Sequence, residues 1–446
     1  MAEDEPAIAA PRAGGALMDA IVSRRARVVV VGAGYVGLPL AVELARAGFP
    51  TTAYDTARER IDALRRGHSY LGDVSSDQVA ALVKAGRLDA TSDADALGAA
   101  DVIVICVPTP LNKTKDPDNS FIMSVAEVLA PRMRPRQLIV LESTTFPGFT
   151  REALLPRLAR GGLRHDEDFF LAFSPERVDP GNREFQTRNT PKVLGGISPA
   201  SLALASALYG TFIDRLVPVT STDAAEMVKL LENTFRAVNI GLVNEVAMMC
   251  ARLGLDTNEV IAAAATKPFG FMPFHPGPGL GGHCLPIDPH YLSWKLRTLA
   301  YTARFVALAD EINGSMPEFV ATMIVSALND RKQSVRGSRV LVCGVTYKRD
   351  VEDIRESPAL EIIHILRRAG AEVAYADPFV PLLRLGADTL TRVPLDDIAG
   401  YDCVVIAADH TAVDYARLVE QAALVVDARG ATQALRQRFG HKIVFL

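Results

Sequence analysis

At 446 residues the chain is long enough for two or three domains, and 49% hydrophobic residues supply several cores. A net charge of −4, from 48 Lys and Arg against 52 Asp and Glu, leaves no basic footprint and argues against a nucleic-acid partner. No apolar run approaches a membrane span, Met1-Ala-Glu-Asp-Glu-Pro6 opens no charged-then-apolar signal, and five mostly core-like cysteines suit a reducing compartment; a soluble, cytoplasmic protein with no membrane partner is expected.

Residues 1–25, rich in Ala and charge, read as a flexible tail. Arg27-Val-Val-Val-Val31 is then a short apolar strand followed at once by Gly32-Ala-Gly-Tyr-Val-Gly37, a helix pattern from Leu38 to Ala47, and a second strand ending in Asp55. A G-x-G-x-x-G alone is weak; placed between strand and helix, with an acid after the next strand, it is a dinucleotide fingerprint. Gly32 permits the tight turn, Gly34 lets the backbone approach a pyrophosphate, and Gly37 lets helix and strand pack closely. Phosphates would sit on the helix N-terminus, with Tyr35 and Val36 in the same loop. Asp55 accepts from ribose hydroxyls and repels a 2′-phosphate, so NAD is expected; Arg58 and Arg60 keep NADP open.

Further strands read at 101–107, 137–141 and 169–173, each running into a polar loop. Ligands of open parallel sheets lie at such carboxyl ends. Pro108 and Thr109, Thr145, and Glu176 with Arg177 are therefore candidates to face cofactor or substrate. Asp223 with Glu226 resembles a helix-start signal, and a helix pattern continues to Arg252, closed by Gly254. About thirty residues at 1.5 Å rise span roughly 45 Å, enough to connect two domains. Lys229 and Asn233 share one face of it. A second helical stretch covers 257–266, and helical character resumes near His290 and persists towards Asp330.

Between those stretches lies Gly277-Pro-Gly-Leu-Gly-Gly-His-Cys-Leu-Pro-Ile-Asp-Pro289, a loop built from residues that allow unusual backbone geometry. Cys106, Cys250, Cys343 and Cys403 sit in apolar runs and read as small buried hydrophobes. Cys284 does not. A nucleophilic thiolate is the working reading, beside an incidental turn cysteine. His275, His283, Asp288 and His290 crowd the loop, yet no C-x-x-C or H-E-x-x-H spacing marks a zinc site, and no metal is expected.

Arg339-Val-Leu-Val-Cys-Gly-Val345 opens a second α/β unit, with strands at 372–375, 403–407 and 424–427. Its first turn lacks the second and third glycines, so it should not hold a dinucleotide. Lys348, Arg349 and Arg355 could hold a phosphorylated ligand by charge and donor geometry. The fold class is α/β: two Rossmann-like domains joined by a long central helix.

Six stretches in order resemble the UDP-sugar 6-dehydrogenase family: Gly32 to Gly37, Glu142-Ser-Thr-Thr145, Ser174-Pro-Glu176, Lys229 with Asn233, Gly281-Gly-His-Cys-Leu-Pro-Ile-Asp288, and Lys348-Arg-Asp350 with Arg355-Glu-Ser357. The resemblance covers the chain beyond its tail. It implies an NAD-binding domain over 26–216, a central helical domain with the Cys loop over 217–330, and a UDP-binding domain over 331–446. It also implies a four-electron oxidation of a sugar C6 alcohol to a carboxylate with two NAD per turnover, supplying surface polysaccharide precursors. Cys284 would capture the aldehyde as a thiohemiacetal and carry the thioester. Lys229 and Asn233 would stabilise the oxyanion, and Asp288 and Glu176, with Thr145 holding a water, would handle protons. Arg177, His275, Gly277, Gly279, Gly281 and Lys348 fall to the UDP-sugar, and Arg355 to the cofactor. A homodimer or higher homo-oligomer through the central helix is implied as well.

The glucose-specific branch carries a second Glu four residues after the first, where Pro180 stands beside Asp179, and an Arg sixteen residues before the Cys, where Pro268 follows Lys267. The loop sequences look more like the branch acting on UDP-N-acetylglucosamine, which is the expected substrate; UDP-glucose and UDP-N-acetylmannosamine are the alternatives. A non-catalytic nucleotide-sugar binder would show damage at Cys284, Lys229 or Asp288, and all three are present.

Overall fold

The computed structural model describes residues 14–177, 182 and 184–446; Asp179 and Pro180 lie outside the described residues. It divides into two compact units. The first runs up to Glu232 and takes back His290–Ala300; the second holds Asn233–Pro289 and Tyr301–Leu446.

The first unit is built on β1 (Val28–Val31), β2 (Thr51–Tyr54), β3 (Leu88–Thr91), β4 (Val102–Ile105), β5 (Gln137–Leu141), β6 (Phe169–Phe173), β7 (Lys192–Gly196) and β8 (Leu216–Val219), in the order β3-β2-β1-β4-β5-β6-β7-β8. Neighbours are parallel except β6 and β7. β1, β4, β5 and β6 are buried at every position, which explains their unbroken apolar sequences: helices cover both faces of a parallel sheet. The order reverses between β1 and β4, so a crevice opens at their carboxyl ends. The helix α1 (Gly37–Arg46) follows β1 directly.

Part of the expected tail is structured. Gly15–Val22 forms a helix whose Leu17 and Ile21, one turn apart, enter the same core as β1 and Leu204. Strands β7 and β8 escaped the sequence reading. Lys192-Val-Leu-Gly-Gly196 ends in two glycines, and Leu216–Val219 contains Pro218, tolerated because β8 is an edge strand.

The helix α2 (Thr222–Leu253) begins in the first unit and passes into the second after Glu232. α3 (Thr257–Ala265) follows. The expected helix from 290 to 330 is two: α4 (Asp288–Arg297) and α5 (Arg304–Asp330). Ala300 between them takes a left-handed φ of 56°, which stops the first helix without a Gly or Pro to announce it. α5 packs Val320, Ile324 and Leu328 against Ile362, Ile363 and Leu366 of α6 (Pro358–Arg368).

The second unit carries a parallel sheet of β9 (Arg339–Cys343), β10 (Glu372–Ala376), β13 (Cys403–Ile406), β14 (Val425–Asp427) and β15 (Ile443–Phe445), ordered β10-β9-β13-β14-β15. An antiparallel hairpin, β11 (Leu382–Leu385) and β12 (Asp388–Thr391), follows β10. No helix among the described residues is long and apolar enough to cross a membrane.

Candidate active site

In the first unit, β1 delivers the chain into a turn at Gly32 with φ 94°, where a Cβ would stand 2.5 Å from the Cys106 carbonyl oxygen. At Gly37, the first residue of α1, a Cβ would lie 1.8 Å from the Gly32 carbonyl. Gly34 has open space where its side chain would be, so a ligand can reach the backbone there. Asp55 ends β2 and is buried. Its carboxylate accepts from the backbone N–H groups of Ala33 at 2.9 Å and Ala57 at 2.8 Å, and from Arg60 Nη1 at 3.2 Å. Tyr70 donates to the Ala33 carbonyl at 2.5 Å, and burial pushes its phenol up to about 12. This turn fits a dinucleotide: side chains are barred where backbone must pack, space is left where phosphate would approach, and the acid stands at the ribose position. Arg60, a candidate cofactor residue, is paired to Asp55 beside the turn. Tyr35 is exposed, Pro108 is exposed and Thr109 half-buried beyond β4.

The loops after β5 and β6 bring more groups to the same sheet edge. Glu142 is buried, paired with Lys192 Nζ at 3.0 Å and hydrogen-bonded by the Tyr209 hydroxyl. Thr145 is buried and donates to Glu226 Oε1 at 3.3 Å. Lys229 Nζ donates to the Glu176 carbonyl at 2.6 Å and meets its carboxylate at 3.2 Å, both side chains nearly buried. Arg177 donates to the Pro191 carbonyl and pairs with Glu232 at 2.6 Å. A shallow cleft opens between Val36, Leu40, Glu142, Glu176, Arg177 and Lys192.

The second unit holds the Cys loop. Gly277 N–H donates to Asn244 Oδ1 at 2.9 Å; Asn244 in turn donates to Asn313 at 2.9 Å, and Asn313 to the Ala237 carbonyl at 3.0 Å. This buried amide relay ties the loop to α2 and α5. Gly282, φ 85°, lies flat on the Tyr347 ring, where a Cβ would sit 2.8 Å from Cε2, and its N–H donates to the Arg355 carbonyl at 3.0 Å. The Cys284 carbonyl accepts from Asp288 N–H at 2.8 Å, placing the cysteine one turn ahead of α4, whose positive dipole end favours a thiolate. Cys284 Sγ lies 3.2 Å from His283 Nδ1. The other four cysteines are buried, and burial pushes Cys343 and Cys403 to about 12 and Cys106 well up. Asn233 donates to Asp288 Oδ2 and accepts from Arg236; both Asn233 and Asp288 are buried. Asn233 thus holds the carboxylate. His275 is exposed, Gly279 and Gly281 pack on Pro358, and the Arg355 guanidinium grips Asp353.

At the edge of the second sheet, Asp377 ends β10 as Asp55 ends β2. Its carboxylate accepts from Val345 N–H at 2.7 Å, Phe379 N–H at 2.8 Å and lies 3.1 Å from His410 Nε2. Both Asp377 and His410 side chains have no exposure at all, so no ribose can reach this acid. Lys348 is half-buried in the turn after β9, its carbonyl accepting from Thr346. Arg349 and Arg429 both pair with Asp409, and Arg429 leans on Gly277, where a Cβ would stand 2.6 Å from Nη1. Arg429 and Glu226 were not foreseen as site residues. Arg429 sits after a strand with no motif around it, and Glu226 reads as a helix cap until its partners, three residues of a distant loop, are seen.

The chain matches the three domains of one family: the UDP-glucose/GDP-mannose dehydrogenase NAD binding domain over 26–213, central domain over 223–315 and UDP binding domain over 341–434. It is 34% identical over 388 residues to UDP-N-acetyl-D-glucosamine 6-dehydrogenase of Pseudomonas aeruginosa, spanning 86% of this chain and 90% of the relative. It is 36% identical over 388 residues to UDP-N-acetyl-D-mannosamine dehydrogenase of Pyrococcus horikoshii, spanning 86% and 89%. The solved structure of UDP-D-ManNAc dehydrogenase from Pyrococcus horikoshii matches with a TM-score of 0.83 at 33% identity, covering 91% of this chain and 96% of that one.

Proposed function

Because the chain belongs to the UDP-glucose/GDP-mannose dehydrogenase family and is an NAD-dependent UDP-sugar dehydrogenase, we propose that it carries the sugar C6 alcohol through to the carboxylate on Cys284, and that the sugar is UDP-N-acetylglucosamine. The observation carrying the covalent route is the contrast among the cysteines: Cys284 alone is partly exposed, beside an imidazole and ahead of a helix, while the other four are buried.

NAD held at the Gly32–Gly37 turn and Asp55 would supply the hydride acceptor for each of two oxidations. Before the first, Asp288 or Glu176 takes the hydroxyl proton. The Cys284 thiolate then bonds to the aldehyde carbon as the C=O π bond opens, and the oxygen takes back the proton from that carboxylate to become the thiohemiacetal hydroxyl, which gives it up again in the second oxidation. Lys229 offers positive charge to that oxygen, and Asn233 fixes Asp288. The second oxidation leaves a thioester. Water held by Thr145 adds to its carbon, the C–S bond breaks with the electron pair leaving on Cys284, and the water proton passes to a carboxylate. Covalent capture keeps the aldehyde from escaping.

The N-acetylhexosamine reading is supported by the loop sequences and by relatives named for UDP-N-acetylglucosamine and UDP-N-acetylmannosamine. A pocket built for the acetamido group strands polar groups when UDP-glucose binds, a loss that can reach roughly 10⁴. UDP-N-acetylmannosamine is the second reading. The test is kcat/KM on UDP-N-acetylglucosamine, UDP-N-acetylmannosamine and UDP-glucose, with Cys284→Ala as control. The expectation is UDP-N-acetylglucosamine first, UDP-glucose last, and no acid from the variant. Near-normal acid from Cys284→Ala would sink the covalent route; a best rate with UDP-glucose would sink the substrate.

A further inference from the structure

We propose that Glu226 is a positioning residue for thioester hydrolysis: its carboxylate takes the Thr145 hydroxyl proton in a hydrogen bond, so Thr145 meets the hydrolytic water only as an acceptor. The proposal rests on the reading of Thr145 as the group that holds this water.

Glu226 stands on the first turns of α2 and has no exposed surface. Four donors of a single loop converge on it. Gly148 N–H reaches Oε2 at 2.6 Å; Thr150 N–H at 2.9 Å, Thr150 Oγ1 at 2.6 Å and Thr145 Oγ1 at 3.3 Å reach Oε1. Above about pH 7 this carboxyl is ionised and only accepts, so the hydrogen of each hydroxyl must point at it, and the test is run at about pH 8.5. What Thr145 has left is lone pairs.

This fixes a polarity. A water against Thr145 must present a hydrogen to it, which leaves the water's own lone pair free for carbon. A Thr145 hydroxyl able to rotate would donate to the water instead, occupying one of its two lone pairs and making it a poorer nucleophile. The same carboxylate that orients the hydroxyl also sets the loop's path, through the Gly148 and Thr150 bonds. The other end of the loop is pinned separately, by Glu142 on Lys192 and Ser143 Oγ on the Val107 carbonyl at 2.8 Å. Glu226 therefore touches neither water nor sugar and acts through Thr145. A group that merely filled space there would have no need of a charge.

The test uses the full-length enzyme with NAD and UDP-sugar, read by intact mass spectrometry and by release of acid. Glu226→Gln keeps the size but turns one acceptor into a donor facing donors. Release of acid should fall about tenfold or more, with KM for the sugar and Kd for NAD little changed. A covalent sugar adduct should build up on the protein. Thr145→Ala should stall at the same step, and the double variant should be no worse than either single one. Glu226→Asp, which keeps the charge but shortens its reach, serves if the amide variant does not fold, and should show a smaller adduct. If Thr145→Ala accumulates adduct while the folded Glu226 variants hydrolyse it normally, the role of Thr145 stands and Glu226 is not its positioner. If neither residue's variants accumulate adduct, Thr145 does not hold the water, and the assignment of Glu226 fails with it.

Discussion

Burial raises the Glu226 carboxyl to about 7, with Asp223 adding to the rise, against the pull of its Thr150 and Gly148 hydrogen bonds. The folded value therefore lies above the unfolded one near 4.5, and the sign of the linkage follows. As pH rises, the unfolded chain releases this proton first. Stability contributed by the neutral form is complete below about pH 4.5 and lost as pH passes 7, by about 3 kcal/mol in all. Glu226→Gln has no such titration. Its melting temperature should fall less between pH 5 and pH 8 than the parent's, measured calorimetrically; equal falls would show that the carboxylate is better solvated than its burial implies. Residues of this kind are hard to read in a sequence. Gly32, Gly37, Asp55 and Cys284 announce themselves by local spacing or by conformational need. Glu226 owes its role to a loop some 80 positions away, and Asn244, which anchors Gly277, looks like any polar residue of a helix.

Strands β1, β4, β5 and β6 were legible because a parallel sheet covered on both faces demands unbroken apolar runs, and α2 because nothing interrupts its period. The break between α4 and α5 was not legible. It follows from Ala300 taking a conformation that alanine rarely needs, imposed by where His290–Ala300 packs: Tyr291 donates to the Pro110 carbonyl at 3.2 Å, Trp294 meets Phe146, and Arg297 pairs with Asp116. At the same scale, α2 presents Phe235, Leu242 and Met249, spaced by seven, 45%, 57% and 48% exposed. Such a seam costs solubility unless covered, and a second copy of the same helix is self-complementary to it. We expect a homodimer through this face. Leu242→Glu should halve the mass seen by light scattering after gel filtration; an unchanged mass would place the contact elsewhere.

The whole molecule repeats one device with two outcomes. In both α/β units a strand ends in glycine with positive φ, and an aspartate at the end of the neighbouring strand holds the turn by its backbone N–H: Asp55 on Ala33, Asp377 on Val345. In the first unit the crevice beside the acid stays open. In the second, His410 closes it. Equilibrium dialysis should accordingly find one NAD per chain, and a second equivalent would contradict the closure. Counting to one has a kinetic meaning. A reaction that removes two hydrides from one sugar, with one berth for the acceptor, must change its cofactor midway, while the half-oxidised sugar waits. Retention of that sugar is then a matter of residence time: it must outlast the exit of NADH and the entry of fresh NAD. On the proposed covalent route, a carbon–sulfur bond to Cys284 would last through that exchange in a way that hydrogen bonds to a free aldehyde would not.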